Sequence, residues 1–129
     1  MSLLSAQSPD GVSATVDRLV AALERRHIEV FARVDHGAGA RAAGLELADE
    51  ELLIFGDARV GTLLMQSDRS IGYELPPRVL VWDDGGTTRI AYRPARELSS
   101  SYDVADRVEV LARMDELLQS LIAESTAQP

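Results

Sequence analysis

Asp35-His36 is the pair in this chain whose side chains most resemble a general base and its orienting carboxylate. An imidazole titrates near neutrality, and a neighbouring carboxylate can fix its tautomer. His36 is therefore the candidate catalytic residue and Asp35 its candidate partner. Neighbours on a regular strand point to opposite faces, so the same pair also reads as a strand end with no chemistry. Two glycine-marked turns suggest other chemistry. Gly37-Ala38-Gly39-Ala40-Arg41-Ala42 matches the G-x-G-x-x-[G/A] pattern of dinucleotide sites, with Asp57 at about the spacing of a ribose-binding acid. The helix after it must stop by Gly44, and repeated βαβ units are lacking, which sets that reading aside. Gly56-Asp57-Ala58-Arg59-Val60-Gly61-Thr62 has P-loop spacing, but Thr62 stands where the phosphate-binding lysine belongs. What survives is a helix N-terminus flanked by Arg59 and the Thr62 hydroxyl, suited to an anionic group. Gly56, Arg59, Gly61, Thr62 and Met65 are thus the candidate ligand-binding residues. They share one pocket with Asp35 and His36 only if the two strands that lead into these turns run parallel.

Composition removes several classes of function. The 129 residues contain no cysteine and no lysine, so thiol nucleophiles, Cys-ligated zinc and Schiff-base chemistry are excluded. Two histidines at unhelpful spacing, with no cluster of ligand type, argue for no metal site. A net charge of −8 argues against nucleic acid as a partner. No apolar run approaches the ~20 residues of a membrane span, and the N-terminus lacks a signal peptide pattern. The expectation is a cytoplasmic protein without a membrane partner. No cofactor is specified by any motif.

These residues must be positioned by regular elements. Residues 1–12 read as a poorly ordered segment or a short edge strand. Val16, Leu19, Val20 and Leu23 recur at helical spacing and predict a helix over 14–27, with Ser13 as its N-cap. Ile28, Val30, Ala32 and Val34 alternate with Glu29, Phe31, Arg33 and Asp35, which predicts a strand over 28–35 with the first set on one face. A short helix over 38–43 ends at Gly44. Leu52-Leu53-Ile54-Phe55 is a continuous apolar run and reads as a central strand covered on both faces. A second short helix covers about 60–67. Val79–Trp82 and 87–93 form a hairpin around Asp83-Asp84-Gly85-Gly86. Trp82 and Tyr92 read as cross-strand partners or part of a dimer face. Val104, Val108, Leu111, Met114, Leu118 and Leu121 predict a long final helix, and 125–129 a tail. The expected architecture is a single α+β domain over 1–129. It has two layers: a mixed sheet of at least four strands, covered by two long amphipathic helices and accompanied by two short ones.

The assembled motifs resemble a known family. Val34-Asp35-His36, Leu53-Ile54-Phe55-Gly56-Asp57, Gly61-Thr62-Leu63-Leu64-Met65, Leu75-Pro76-Pro77-Arg78-Val79-Leu80-Val81-Trp82 and Ala91-Tyr92-Arg93-Pro94 are similar to the bacterial and archaeal family catalogued as domain of unknown function 302. The resemblance runs from about Val16 to Met114. It implies a compact α+β fold, usually a homodimer, with no agreed activity, cofactor or substrate. The sequence departs from the family pattern at Asp57-Ala58, where Asn-Pro is frequent, and at Pro77, where leucine is frequent. The family often begins with a strand before the first helix, for which residues 1 to 10 are a poor match.

Three functions follow as expectations. The first is a homodimeric domain that binds or senses a small ligand, an anionic one included. The second is a structural or protein-interaction module without a ligand. The third is an enzyme that uses His36 as a general base.

Overall fold

The computed structural model describes residues 3–127. Among these, five strands and four α-helices follow one another: β1 (Leu4–Ser8), α1 (Val12–Arg25), β2 (Glu29–Asp35), α2 (His36–Ala42), β3 (Glu50–Gly56), α3 (Ala58–Ser67), β4 (Arg78–Asp84), β5 (Thr87–Tyr92) and α4 (Val108–Thr126). Short 3-10 turns occupy Arg69–Glu74, Ala95–Ser100 and Ala105–Arg107. The α+β class stands, with two long and two short helices.

The sheet has the order β1-β5-β4-β3-β2, and every neighbouring pair is antiparallel. The expected mixed sheet is thereby corrected. The physical reason lies in α2. Its 7 residues extend roughly 10 Å, under half the length of a strand such as β2. Neither α2 nor residues 43–49 after it carry the chain back to the start of β2. Gly44, at φ 76°, ends it in the left-handed region, and β3 starts again beside Asp35.

Burial follows strand alternation. Glu51, Leu53 and Phe55 of β3, Val79 and Val81 of β4, and Ile90 and Tyr92 of β5 are buried. Their apolar members pack with Val16, Leu19 and Leu23 of α1 and Leu118 and Leu121 of α4. The opposite face carries Leu52, Ile54, Leu80 and Trp82, all half-buried. The apolar run of β3 was expected to be covered on both faces; α1 and α4 cover one. A second cluster lies beyond the end of the sheet, built from Leu64, Ile71, Ala95, Leu98, Val104, Leu111 and Met114.

β2 breaks its own alternation. Val30 pairs with Phe55 but Ala32 pairs with Ile54, so Phe31 is the extra residue of a bulge. The parity flips there, and the expected face of Ile28, Val30, Ala32 and Val34 is divided. Arg33 instead falls opposite Leu53 on the helix-covered face. There it donates to Glu51 Oε1 at 2.6 Å and to Asp17 Oδ1 at 2.7 Å.

Both chain ends differ from expectation. Residues 1–12 were expected to be poorly ordered, with a short edge strand as the other reading; Leu4–Ser8 form that strand on β5. Thr15 donates its hydroxyl proton to Gly11 O at 2.8 Å, so the Ser8 hydroxyl donates to Thr15 Oγ1 across 2.7 Å. This buried contact ties β1 to α1, whose N-cap is Gly11 and not Ser13. The tail expected from 125 is helical through Thr126, with Ser125 buried. Met1, Ser2, Gln128 and Pro129 lie outside the described residues.

Candidate functional site

The antiparallel pairing of β2 with β3 decides where the candidate residues sit. Asp35 pairs with Glu51 near the start of β3, while Gly56 at its end pairs with Glu29. Six residues of strand, roughly 20 Å, separate the two turns. The single pocket expected to join Asp35 and His36 with Gly56 to Met65 does not form.

His36 is the first residue of α2 and is exposed. Asp35 is the N-cap of that helix, and its Oδ1 accepts from Ala38 N at 2.8 Å. The carboxylate that would orient the imidazole is thus committed to the backbone. Among the described residues no hydrogen bond or ion pair holds the His36 side chain, and no cavity described below includes it.

At the other turn, Asp57 caps α3: its Oδ1 accepts from Arg59 N at 2.9 Å. That backbone N–H, helped by the Arg59 guanidinium, holds the Asp57 carboxyl below its ordinary value. The helix N-terminus therefore already carries an anion, supplied by the chain itself. Arg59 is splayed to solvent with a side chain 92% exposed, and its nearest acid is Asp57 at 3.3 Å. The Thr62 hydroxyl donates back to Ala58 O at 2.6 Å. The three groups expected to grip an anionic ligand are engaged locally or turned away.

Gly56, Gly61, Thr62 and Met65 are nonetheless brought together. They line a cavity of about 240 Å³ with Phe31, Val60, Leu75, Pro76, Met114 and Leu117 among its other walls. Four elements converge to form it: the bulge of β2, the first turns of α3, the Leu75-Pro76-Pro77 approach to β4, and α4, which supplies Met114 and Leu117. It sits beside the seam between the two core clusters, where Met114 and Met65 supply flexible thioethers. The lining is overwhelmingly apolar. Gly61 is the informative residue. In a helix interior glycine costs about 1 kcal/mol relative to alanine. Here a Cβ would meet nothing closer than Leu75 Cδ1 at 3.7 Å and Met65 Cε at 3.9 Å. No close approach requires the glycine, and what its missing side chain leaves is the wall of the cavity.

Phe31, Leu75, Met114 and Leu117 were not foreseen as part of this site. Phe31, 48% exposed, reads in sequence as part of the strand face shared with Glu29, Arg33 and Asp35, Leu75 as the approach to a strand and Met114 as core, while Leu117 lies off the apolar stripe of the final helix. The available signal was Gly61 in an otherwise helical, apolar stretch. Among the described residues there is no group of three or more His, Cys, Asp or Glu placed to hold a metal ion.

Comparison with known proteins bears on the whole chain. A family model described as "Domain of unknown function DUF302" matches residues 4–121. A solved structure, the crystal structure of an uncharacterized conserved protein DUF302 from Bacillus stearothermophilus, superposes with a TM-score of 0.86 over 97% of this chain and 98% of that one, at 18% identity. That likeness is one of fold. Two curated relatives carry the name fluoride-specific ion channel FluC 1. The one from Brucella suis biovar 1 (strain 1330) is 48% identical over 83 residues, 64% of this chain and 33% of that protein. The one from Brucella abortus biovar 1 (strain 9-941) is 48% identical over the same length, 31% of its own chain. The chain thus spans about a third of the curated relatives it matches. Among the described residues no helix is long and apolar enough to cross a membrane.

Proposed function

The chain belongs to the family of unknown function DUF302, and on that premise we propose that it is a binding or sensing domain for a small, largely apolar molecule. The observation that carries this reading is the cavity of about 240 Å³ lined by Gly61 and walled by Met65, Leu75 and Met114. A concave, mostly apolar site with few polar groups is the usual form of a small-molecule pocket. The anionic ligand first expected at the α3 N-terminus loses its support, because Asp57 occupies that N-terminus.

The test compares wild-type protein with Gly61→Leu, whose side chain would project into the cavity. Thermal melts are recorded with indole, benzene and hexanol, and with fluoride as the ion named by the relatives. At a hundredfold excess over Kd, binding adds about 2.7 kcal/mol to stability. The expected result is a rise in melting temperature for at least one apolar probe, absent in a folded Gly61→Leu. A shift that survives in Gly61→Leu, or no shift with any probe, removes the pocket as the seat of function.

A second reading rests on the opposite sheet face. Leu52, Ile54, Leu80 and Trp82 form a half-exposed apolar patch that α1 and α4 do not cover. As an interaction module, the chain would bury this face in a homodimer.

A further inference from the structure

Register orders the face of the sheet that α1 and α4 leave bare. Val34, Leu52, Leu80 and Ala91 make one row across β2, β3, β4 and β5. Glu50, Trp82 and Arg89 make the next row on one side, and Ala32, Ile54 and Arg78 the next on the other. Paired residues share a face, so the apolar residues are central and the charges stand toward the ends. Arg89 Nε donates to Asp84 Oδ2 at 2.6 Å. Two charges of this face are left over, a half-buried Glu50 and an exposed Arg78. Among the described residues Glu50 makes no side-chain hydrogen bond or ion pair, and Arg78 makes only a 3.4 Å donation to Pro76 O. Arg78 also borders a second cavity, of about 100 Å³, which shares Leu75, Pro77 and Met114 with the apolar one. The acid in that wall, Glu74, is already paired with Arg93.

We propose that this face binds a second copy of the chain about a twofold axis, with Glu50 of each protomer set against the partner's Arg78. This rests on the interaction reading of the same face and is independent of the apolar cavity. A twofold contact joins one patch to itself, so the patch must carry its own complement. Here it carries one unspent acid and one unspent base. They lie on adjacent strands, four residues out of step, since Glu50 pairs with Trp82 and Arg78 with Ile54. Four residues of rise and one strand spacing put them about 14 Å apart. The midpoint falls between Leu52 and Leu80. An axis through that midpoint, at right angles to the line, lays Glu50 on the partner's Arg78 and Arg78 on the partner's Glu50. The same operation crosses the two sets of strands at about 40°, close to the roughly 30° of aligned sheet packing. Leu52 and Leu80 then meet their own copies at the centre, an apolar core inside a charged rim. The centre supplies the affinity and the two ion pairs supply the register.

Sedimentation velocity at micromolar concentration reads the dimer, with Glu50→Arg, Arg78→Glu and the double variant run beside wild type. Each single reversal sets like charges together twice per dimer and should weaken association at least about tenfold. The double reversal restores both pairs and should return the dimer constant to within about threefold of wild type. Glu50→Gln and Arg78→Gln, which lose the charge and keep the strand, should weaken the dimer less than the reversals and serve where a reversal fails to fold. A wild-type monomer overturns the pairing together with the interaction reading, and leaves the face to a different partner. A wild-type dimer that none of the single variants weakens, or that the double reversal fails to restore, overturns the Glu50–Arg78 geometry alone.

Discussion

Arg33 shows how one bulge residue sets the electrostatics of the core. Because Phe31 is the extra residue, Arg33 reaches the helix-covered face and meets Glu51, which is only 6% exposed. Hydrogen bonding to Glu51 first, and to Asp17 after it, holds the guanidinium above its ordinary value against the cost of burial. Removing Arg33 leaves a buried carboxylate without its partner. Arg33→Ala should destabilise the fold by about 1–3 kcal/mol, the lower part of the range for a broken buried pair because Arg33 itself is a third exposed. Urea denaturation reads this directly. The double variant Arg33→Met with Glu51→Leu should recover most of the loss, since an apolar pair needs no desolvation of charge. At this scale the sequence was partly legible. Gly61 stands out in it, and Met65 and Thr62 follow by spacing. Asp35, Asp57 and Thr62 were visible as polar groups at turns, but not that each would be spent on a neighbouring backbone group, which depends on a few tenths of an ångström of local geometry.

Among the elements, α1 and α4 are joined at their ends by charge. Glu124 accepts from Arg26 Nη1 at 2.8 Å, Arg26 Nη2 at 3.0 Å and Arg25 Nη2 at 3.3 Å. The Arg26 hydrogen bonds hold the Glu124 carboxyl below its ordinary 4.5. Asp68 is similarly held below 3.8 by the Ser70 hydroxyl and the Asp103 backbone N–H, which join the turn after α3 to the approach to α4. A carboxylate depressed in the folded state stabilises it above the unfolded pKa and ceases to do so as pH falls through the folded value. Melting temperature should therefore be flat near neutrality and fall from about pH 5 downward. Glu124→Gln should flatten the upper part of that limb; an identical limb in the variant would show that the α1–α4 clasp carries none of it. Helical and strand periods made these elements legible, and each long helix was recognisable from its apolar stripe. Pairing direction was not: the stretch from β2 through α2 to β3 has the composition of a parallel crossover, and only the shortness of α2 and the turn at Gly44 reverse it.

At the scale of the whole molecule, Leu52, Ile54, Leu80 and Trp82 form the half-buried sheet face that α1 and α4 leave uncovered. If the homodimer reading holds, sedimentation velocity should give a dimer at micromolar concentration, and Trp82→Glu should give a folded monomer. A monomeric wild-type protein at that concentration would remove the interaction reading while leaving both cavities intact. By itself the sequence determined the α+β class, the four helices, the hairpin, and the exclusion of thiol and lysine chemistry, because these depend on residue type and on periods of 3.6 and 2. The tertiary structure alone decided that β2 and β3 are antiparallel, which parts Asp35 and His36 from Gly56 to Met65. It alone set Met114 between two cavities. Those are contacts between residues far apart in the chain, fixed by strand register and by the seam between two core clusters, and local residue patterns carry no record of either.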